Sequence, residues 1–348
     1  MSIANFNVGT DFSEKQLEFY INLNEHYDKA KIKSVFGSLK TNVINLKSAR
    51  PDYRIGNTDL NTFKKYVKVA DDNGIEVEYA ANAPLCESVA DFHRNKTYIT
   101  DYLKYLENVG VKRIIASNPL LMEIIYANTK LKIKASTILG INNPNSIKYY
   151  SAYGVDSICI DIYSNRNLPL IADMKKEADK YNVSIELLVN EICFYGDVPC
   201  SNMLRTSCYQ HSALGGNENN FFGSWPFSRC QAERENHPIC YLKIPFILPQ
   251  HIHKYIELTG VNTFKISGRT NSWPYLSNIT EDYMAGLFNG KVEELFMLPQ
   301  NLIPSMGKTI DISKLEKLRF FDRWLTLEKK CDYNCSKCKY CEMFYEKL

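Results

Sequence analysis

A short β-rich apolar run followed by an amphipathic helical stretch repeats along most of this chain. Several helical stretches end in Gly before a β-branched residue, as in "NVGVKRI" and "LTGVNTF", where Gly closes a helix and the next strand begins. This alternation favours parallel strands joined by right-handed crossovers. Eight runs are predicted as strands, at residues 34–38, 75–83, 112–117, 132–137, 156–161, 183–190, 240–244 and 262–267. The sequence therefore predicts an α/β fold, a (β/α)8 TIM-like barrel, with an open doubly wound sheet as the alternative.

One segment interrupts the alternation. From about residue 192 to 239 the chain is rich in Asn, Gly, Cys and aromatic residues and shows little sustained periodicity. Loops of this length are usually functional or disordered, and the aromatic residues and cysteines argue against disorder. On a barrel, a loop that leaves the C-terminal end of a strand lies on the catalytic face. We predict a catalytic domain over residues 1–300 that carries this Cys-rich insert on its C-terminal face, and a Cys-rich helical extension over 301–348.

The net charge of the chain and its expected cellular compartment limit the classes of binding partner. The 42 Lys and Arg against 39 Asp and Glu give a net charge of +3, too small to indicate nucleic acid or an anionic membrane as the obvious partner. The sequence shows neither a signal-peptide pattern nor a long apolar run, so a cytoplasmic protein without a membrane partner is expected. In a reducing compartment, clustered cysteines indicate metal or iron–sulfur ligands. Cys86 and Cys159 are interpreted instead as structural thiols.

The remaining nine cysteines fall into two groups. The spacing Cys-x3-Cys-x2-Cys-x2-Cys near the end of the chain is formed by Cys331, Cys335, Cys338 and Cys341. It is similar to that of ferredoxin-like ligands and favours a 4Fe-4S iron–sulfur cluster, with zinc as the alternative. Five more thiols lie in the insert or directly after it, namely Cys193, Cys200, Cys208, Cys230 and Cys240. Four thiolates complete a cluster, so the chain has cysteines enough for two.

Polar side chains near the ends of predicted strands or in the insert are the candidates for substrate contact. Lys265 and Arg269, in "VNTFKISGRT", could together hold a carboxylate or phosphate. Glu191 and His211 are further candidate catalytic groups. Candidates for substrate binding, each of which could equally be a helix cap or a packed or solvated loop residue, are Ser136, Thr137, Asp161, Asn190, Trp225 and Arg229.

Four motifs occur in an order that resembles a known family. "AST", "NEICFYGDVPC", "FSRC" and "FKISGRT" resemble elements of the collagenase-like peptidases, the U-type peptidase family numbered 32, over roughly residues 30–290. The resemblance implies a 4Fe-4S cluster on four cysteines and oxygen-independent hydroxylation of ubiquinone precursors or RNA bases, with prephenate as oxygen source in some members. By position, the family's cysteines correspond to Cys193, Cys200, Cys230 and Cys240, and the ends of its "KIEGR" strand to Lys265 and Arg269.

The chain departs from the family pattern in three places. Ser267 replaces the usual Glu, Cys208 is a fifth candidate ligand in the central group, and the terminal cysteines lie outside the common core. The choice of four ligands among the five central cysteines therefore stays open.

The leading interpretation is an iron–sulfur redox enzyme that hydroxylates an organic, peptide or RNA substrate without molecular oxygen. It would use an anionic co-substrate such as prephenate and a partner subunit or electron donor. The sequence contains neither H-E-x-x-H nor G-x-S-x-G, the motifs of two common classes of hydrolase. Two alternatives remain: a metal-dependent peptidase of the collagenase-like family, and a non-catalytic iron–sulfur electron-transfer partner.

Overall fold

Eight parallel strands close into one barrel in chain order, with the last strand hydrogen-bonded to the first. The architecture is seen in a computed structural model that describes residues 2–41, 43–50, 52, 55–84, 89–194, 221–268, 273–296 and 309–348, without the side chains at 44, 89, 91 and 221–228. The strands are β1 Ala4–Gly9, β2 Ala30–Gly37, β3 Glu76–Ala81, β4 Arg113–Ala116, β5 Lys132–Ala135, β6 Val155–Cys159, β7 Ser184–Leu188 and β8 Thr263–Ile266. The predicted (β/α)8 barrel is confirmed.

Helices follow the strands and bury their apolar faces against the outside of the barrel, where the main hydrophobic core lies. Asp59 starts one helix by accepting hydrogen bonds from the N–H groups of Asn61 and Thr62, and Asn118 caps another in the same way. The first nine helices are α1 Glu14–His26, α2 Leu60–Asp72, α3 Val89–Asn108, α4 Pro119–Asn128, α5 Pro144–Ser151, α6 Leu168–Lys180, α7 Phe221–Asn236, α8 Ile252–Thr259 and α9 Trp273–Ala285.

Two strand predictions need correction, although the total of eight is right. The run at 240–244 is not a strand but part of a 3-10 helix, Pro238–Lys243, whose backbone is satisfied by local bonds such as that from Cys240 N–H to His237 O. Burial does not distinguish this run from a strand, because strands of the barrel such as β3 and β7 are also buried along most of their length. The eighth strand is instead β1, which the predictions omitted because its inward positions carry asparagine rather than apolar residues.

The insert contains α7, which its weak periodicity did not predict. Short 3-10 helices occupy several connections, including Thr137–Leu139 after β5, Ile162–Arg166 after β6 and Pro249–His251 before α8. In the part of the chain that the structure describes, no helix is both long enough and apolar enough to span a bilayer.

The C-terminal segment packs on the barrel through aromatic side chains. It contains four short helices and one 3-10 helix, namely α10 Val292–Leu295, α11 Ile312–Lys317, α12 Cys335–Cys338, α13 Tyr340–Tyr345 and Phe320–Arg323. Phe320 and Tyr340 stack with ring centroids 5.8 Å apart, and the Tyr340 hydroxyl donates to Phe320 O. The predicted domain boundary near residue 300 lies outside the described residues.

Candidate active site at the carboxyl end of the barrel

The barrel interior contains a layer of charged and polar side chains, one from each odd-numbered strand. Asn7 Nδ2 donates to Glu78 Oε2 at 2.7 Å and to Glu186 Oε1 at 3.0 Å, although these residues lie on strands that are not neighbours. Lys134 Nζ lies 2.8 Å from Glu78 Oε2 and 2.5 Å from Glu186 Oε1. We call Asn7, Glu78, Lys134 and Glu186 the charged layer. All four are buried, so each charge depends on its partners rather than on water.

A second layer, from the even-numbered strands, lies next toward the carboxyl end. It consists of Phe36, Ile115, Cys159 and Lys265, and we call it the mouth layer. Lys265 Nζ lies 3.9 Å from the centroid of the Phe36 ring, a cation–π distance. Lys265 is only 8% exposed, and among the described residues no carboxylate lies within ion-pair distance of its ammonium group. A buried cation without a close counter-ion could bind an anionic ligand.

The two buried lysines have opposite pKa shifts. Burial lowers the pKa of Lys265, and the attraction of Glu186 does not fully offset it. Burial also opposes the charge on Lys134, but Glu186 and Glu78 together raise the pKa of that lysine. For Glu186, burial alone would raise the pKa, yet Lys134 and then Lys265 bring it down to about 2. Burial raises the pKa of the Cys159 thiol, with Glu186 adding to the effect. The charged layer thus has two carboxylates that share Lys134, whereas the attraction of Glu186 for Lys265 is too weak to offset the burial of that lysine.

Replacing Lys265 by methionine is expected to raise the free energy of unfolding at pH 7, because the fold disfavours the protonated amine. The unfolded chain binds the Lys265 proton more readily than the folded chain, so wild-type stability should rise with pH up to the ordinary value of 10.5. The gap between variant and wild type should therefore narrow at alkaline pH. Denaturant unfolding at pH 7 and at alkaline pH measures this, and a strongly destabilised variant at pH 7 would show that Lys265 is fully paired.

Small residues follow the charged layer on three of its four strands. Side chains two residues apart on a strand point to the same face. Two residues beyond the charged layer, the inward positions are Gly9 at the end of β1, Ala80 on β3 and Ser136 directly after β5. The arrangement leaves one side of the mouth with little side-chain bulk.

Several predicted substrate contacts instead stabilise the loops at the carboxyl ends of the strands. Ser136 Oγ accepts from Ile138 N–H, and Asp161 Oδ1 accepts from Tyr163 N–H, so each caps a 3-10 helix. Thr137 Oγ1 donates to Ile160 O. Asn190 accepts from Ser267 N–H at 2.7 Å and joins the ends of β7 and β8. Four candidates that lie near the mouth therefore have structural partners.

The other predicted polar residues are spread more widely. Glu191 accepts locally from Ile192 N–H, and Arg229 is exposed on α7. The backbone of Trp225 lies on α7, but its side chain is outside the described part. Cys86, Cys200, Cys208, His211 and Arg269 also lie outside the described residues.

Three central cysteines lie on elements at the carboxyl end of the barrel. Cys193 follows β7 and packs, together with Tyr163, against the cluster of Cys159, Ile162 and Leu188. Cys230 lies half-buried on α7, and Cys240 is buried in the 3-10 helix that follows it. The two elements are in contact with each other. Thiols from separate parts of the insert therefore lie on the same end of the barrel as Lys265.

The four terminal cysteines line one pocket. Its other walls include Arg166, from the 3-10 helix after β6, and Lys243, from the 3-10 helix after the insert. Tyr333, between the first two of these cysteines, donates a hydrogen bond to Tyr163 O, and the two rings lie 5.5 Å apart. The Tyr163 hydroxyl in turn donates to Phe194 O at 3.2 Å. Tyr163 thus contacts the terminal segment on one side and packs beside Cys193 on the other.

Sequence reasoning did not identify several of the residues that shape these sites. Cys159 was interpreted as a simple buried thiol, yet it faces the barrel interior beside Glu186. The charged layer had a sequence signal at Glu186, the one charged residue of β7, whereas β3 and β5 each carry a second charge, at Glu76 and Lys132. Arg166 had no such signal, because it lies in a short connection far from the cysteines in sequence.

Known proteins that are similar to this chain in sequence or in structure indicate its family. A protein of Methanocaldococcus jannaschii named "uncharacterized protease MJ1657" is 24% identical over 286 residues, which are 81% of this chain and 80% of that protein. The solved structure of the U32 peptidase Mk0906 superposes with a TM-score of 0.51 at 14% identity, covering 77% of this chain and 93% of that one. The latter likeness supports the barrel fold alone.

The sequence pattern of peptidase family U32 matches residues 44–294. The match covers well over half of the chain and includes the strands from β3 to β8 as well as the insert. It ends before the terminal cysteines. The chain therefore belongs to peptidase family U32, as the order of its motifs indicated.

Proposed function

We propose that this chain is an iron–sulfur redox enzyme that oxidises an organic substrate, by hydroxylation without molecular oxygen, at the mouth of the barrel. The observation that carries the proposal is the position of Cys193, which packs over the mouth layer beside Cys159. Cys230 and Cys240 lie on contacting elements at the same end. Cys200 and Cys208 are the remaining candidates for a fourth ligand.

The donor chemistry fits an iron–sulfur cluster. Thiolates are the usual ligands of such clusters, and a reducing cytoplasm would keep these cysteines available. Among the described residues, no group of three His, Cys, Asp or Glu side chains is arranged to hold a single metal ion. When bound, the cluster would supply one-electron chemistry at the mouth.

The residues of the mouth layer would bind and orient the ligand. The ammonium group of Lys265 would attract an acidic group, since it is buried and without a close counter-ion among the described carboxylates. Phe36 would keep that group of the ligand away from water on one side, because its ring lies against Lys265 Nζ. An anionic co-substrate, such as the prephenate that the family resemblance suggests, suits this position. The oxidised substrate would be an organic molecule, a peptide or an RNA base, and a partner subunit or electron donor would complete the reaction.

Anaerobic purification of wild type and a Cys193→Ser variant tests the proposal. We expect wild type to contain iron and acid-labile sulfide, and the variant to lose about four irons per chain. Cys159→Ala is the matched control, because Cys159 belongs to the same packed cluster but is not a proposed ligand, and it should retain its iron. Iron-free wild type, or unchanged iron in Cys193→Ser, would contradict the assignment.

A metal-dependent peptidase is the second candidate, favoured by the name of the family and by that of the relative from M. jannaschii. Such an enzyme needs a metal with an open coordination position and a general base. Hydrolysis of denatured collagen or casein by the purified chain, abolished by a chelator and restored by a divalent metal ion, would support this function. A reversible cluster potential without turnover of any substrate would instead favour an electron-transfer partner.

A further inference from the structure

The C-terminal segment brings its four cysteines together through two short helices and two turns. Cys335 and Cys338 are one turn apart on α12, so they lie on the same side of that helix. Lys339 then adopts a left-handed backbone with φ of +53°, which separates α12 from α13 and brings Cys341 to the same pocket. Tyr333 also has a positive φ, +56°, and turns the chain between Cys331 and Cys335. Two strained turns between Cys331 and Cys341 favour a specific arrangement of the thiols.

The pocket is anchored to the barrel. Cys331 N–H donates to Arg166 O at 2.9 Å, and Cys341 Sγ lies 3.5 Å from Leu242 O. Behind the cysteines, the aromatic ring of Trp324 lies 4.1 Å from the Arg166 guanidinium carbon. The segment is therefore held by backbone and side-chain contacts on both sides of the pocket.

The charges around the pocket suit bound thiolates. Four thiolates carry four negative charges, which a metal centre offsets only in part. Arg166 and Lys243 are buried cations in the pocket wall, and Arg323 and Lys339 add two more. Asp332 and Glu342 also line the pocket and reduce this positive balance. The four cations outnumber the two carboxylates, which favours a centre with a net negative charge.

The sequence spacing of the four cysteines, Cys-x3-Cys-x2-Cys-x2-Cys, is similar to that of ferredoxin-like ligands and favours a cluster over a zinc ion. All four cysteines line the same pocket, which is partly open to solvent.

We infer that Cys331, Cys335, Cys338 and Cys341 bind an iron–sulfur cluster of their own, at a site separate from the insert cysteines. The site lies outside the part of the chain that matches the family pattern. It nevertheless adjoins the mouth, because Tyr333 contacts Tyr163, which packs beside Cys193. This inference uses a different set of ligands and does not depend on the proposed function.

Iron, sulfide and zinc analysis of the full chain, purified and reconstituted without oxygen, tests the inference. The double variant Cys335→Ser and Cys338→Ser should lose about four irons and four sulfides per chain and no zinc. Ser336→Ala is the matched control, since Ser336 is exposed between the two cysteines, and it should keep the wild-type content. Unchanged iron in the double variant, or loss of zinc in place of iron, would overturn the inference.

The same experiment distinguishes the terminal cluster from the central cluster that would include Cys193. Loss of iron in the terminal double variant but not in Cys193→Ser would support the terminal cluster and contradict the central one. The reverse result would overturn the terminal cluster and leave the proposed function standing.

A measurement on wild type removes the risk that the variants misfold. Under native anaerobic conditions, a thiol-alkylating reagent should leave all four terminal cysteines unmodified. After removal of iron with ferricyanide and a chelator, followed by reduction of the released thiols, alkylation and mass spectrometry should find them modified as a set. Modification of these half-buried thiols before iron removal would overturn the inference.

Discussion

Replacing Lys134 by methionine is expected to lower the free energy of unfolding by about 3–5 kcal/mol. The Lys134 ammonium is buried between Glu78 and Glu186, and its removal leaves two carboxylates in the barrel interior with less compensation. Arg113 still pairs with Glu78 at 3.0 Å, so most of the cost arises at Glu186. Denaturant unfolding followed by circular dichroism measures the effect.

Lys175→Met is the matched control for this change. Lys175 pairs with Asp179 at 2.5 Å on the outer surface of α6, where water competes with the ion pair. Its loss should cost less than about 0.5 kcal/mol. Equal effects at Lys134 and Lys175 would contradict the buried network as a determinant of stability.

The cost of the Lys134 substitution should depend on pH. The wild-type pKa of Glu186 is about 2, below its ordinary value of 4.5, so the ionised carboxylate stabilises the folded chain above pH 4.5. That contribution is lost as the pH falls from 4.5 toward 2. The difference in stability between wild type and Lys134→Met should therefore shrink across this range. A difference that stays constant would show that the substitution acts through packing alone.

Replacing Arg166 by methionine is expected to cost about 3 kcal/mol of stability and to lower the metal content of the terminal site. Arg166 Nη2 donates to Leu242 O at 2.8 Å and to Ile244 O at 2.6 Å, and the substitution leaves both carbonyls without that donor. The guanidinium group also stacks on Trp324. Thermal unfolding and iron analysis of the same sample measure the two effects.

Arg323→Met separates the role of Arg166 from a general effect of positive charge. Arg323 also lines the terminal pocket and stacks on an aromatic ring, that of Tyr340, with its guanidinium carbon 4.7 Å from the ring centroid. It is less buried than Arg166, so its loss should cost only about 0.5–1 kcal/mol. Arg166→Lys should restore the charge but only part of the stability, because a lysine does not reproduce the planar guanidinium group. Equal losses of stability at both arginines would contradict the hydrogen-bonded role of Arg166.

Local sequence patterns were sufficient for most of the fold. Strands β2 to β8 appeared as short apolar runs before helical stretches, and glycines such as Gly110 and Gly260 marked the boundaries of some of them. The errors arose where an element departed from the common pattern. β1 has Asn7 at an inward position, and Pro238–Lys243 is apolar without being extended.

The candidate site was less accessible to such reasoning. Lys265 was predicted from its place at the end of the last strand, and the structure places it buried in the mouth layer. Ser136 and Asp161 follow strands in the same way, yet they cap 3-10 helices. A polar residue after a strand satisfies either description until its hydrogen-bond partners are known.

The sequence by itself determined the kinds of element, their order, the family and the groups of thiols, because each of these is encoded in residues close together along the chain. Only the tertiary structure decided which distant residues meet. Closure of the barrel brings Asn7, Glu78, Lys134 and Glu186 into one layer from four separate strands. Packing of the C-terminal segment places its cysteines against Arg166, since hydrogen bonds and aromatic contacts form between segments far apart in sequence.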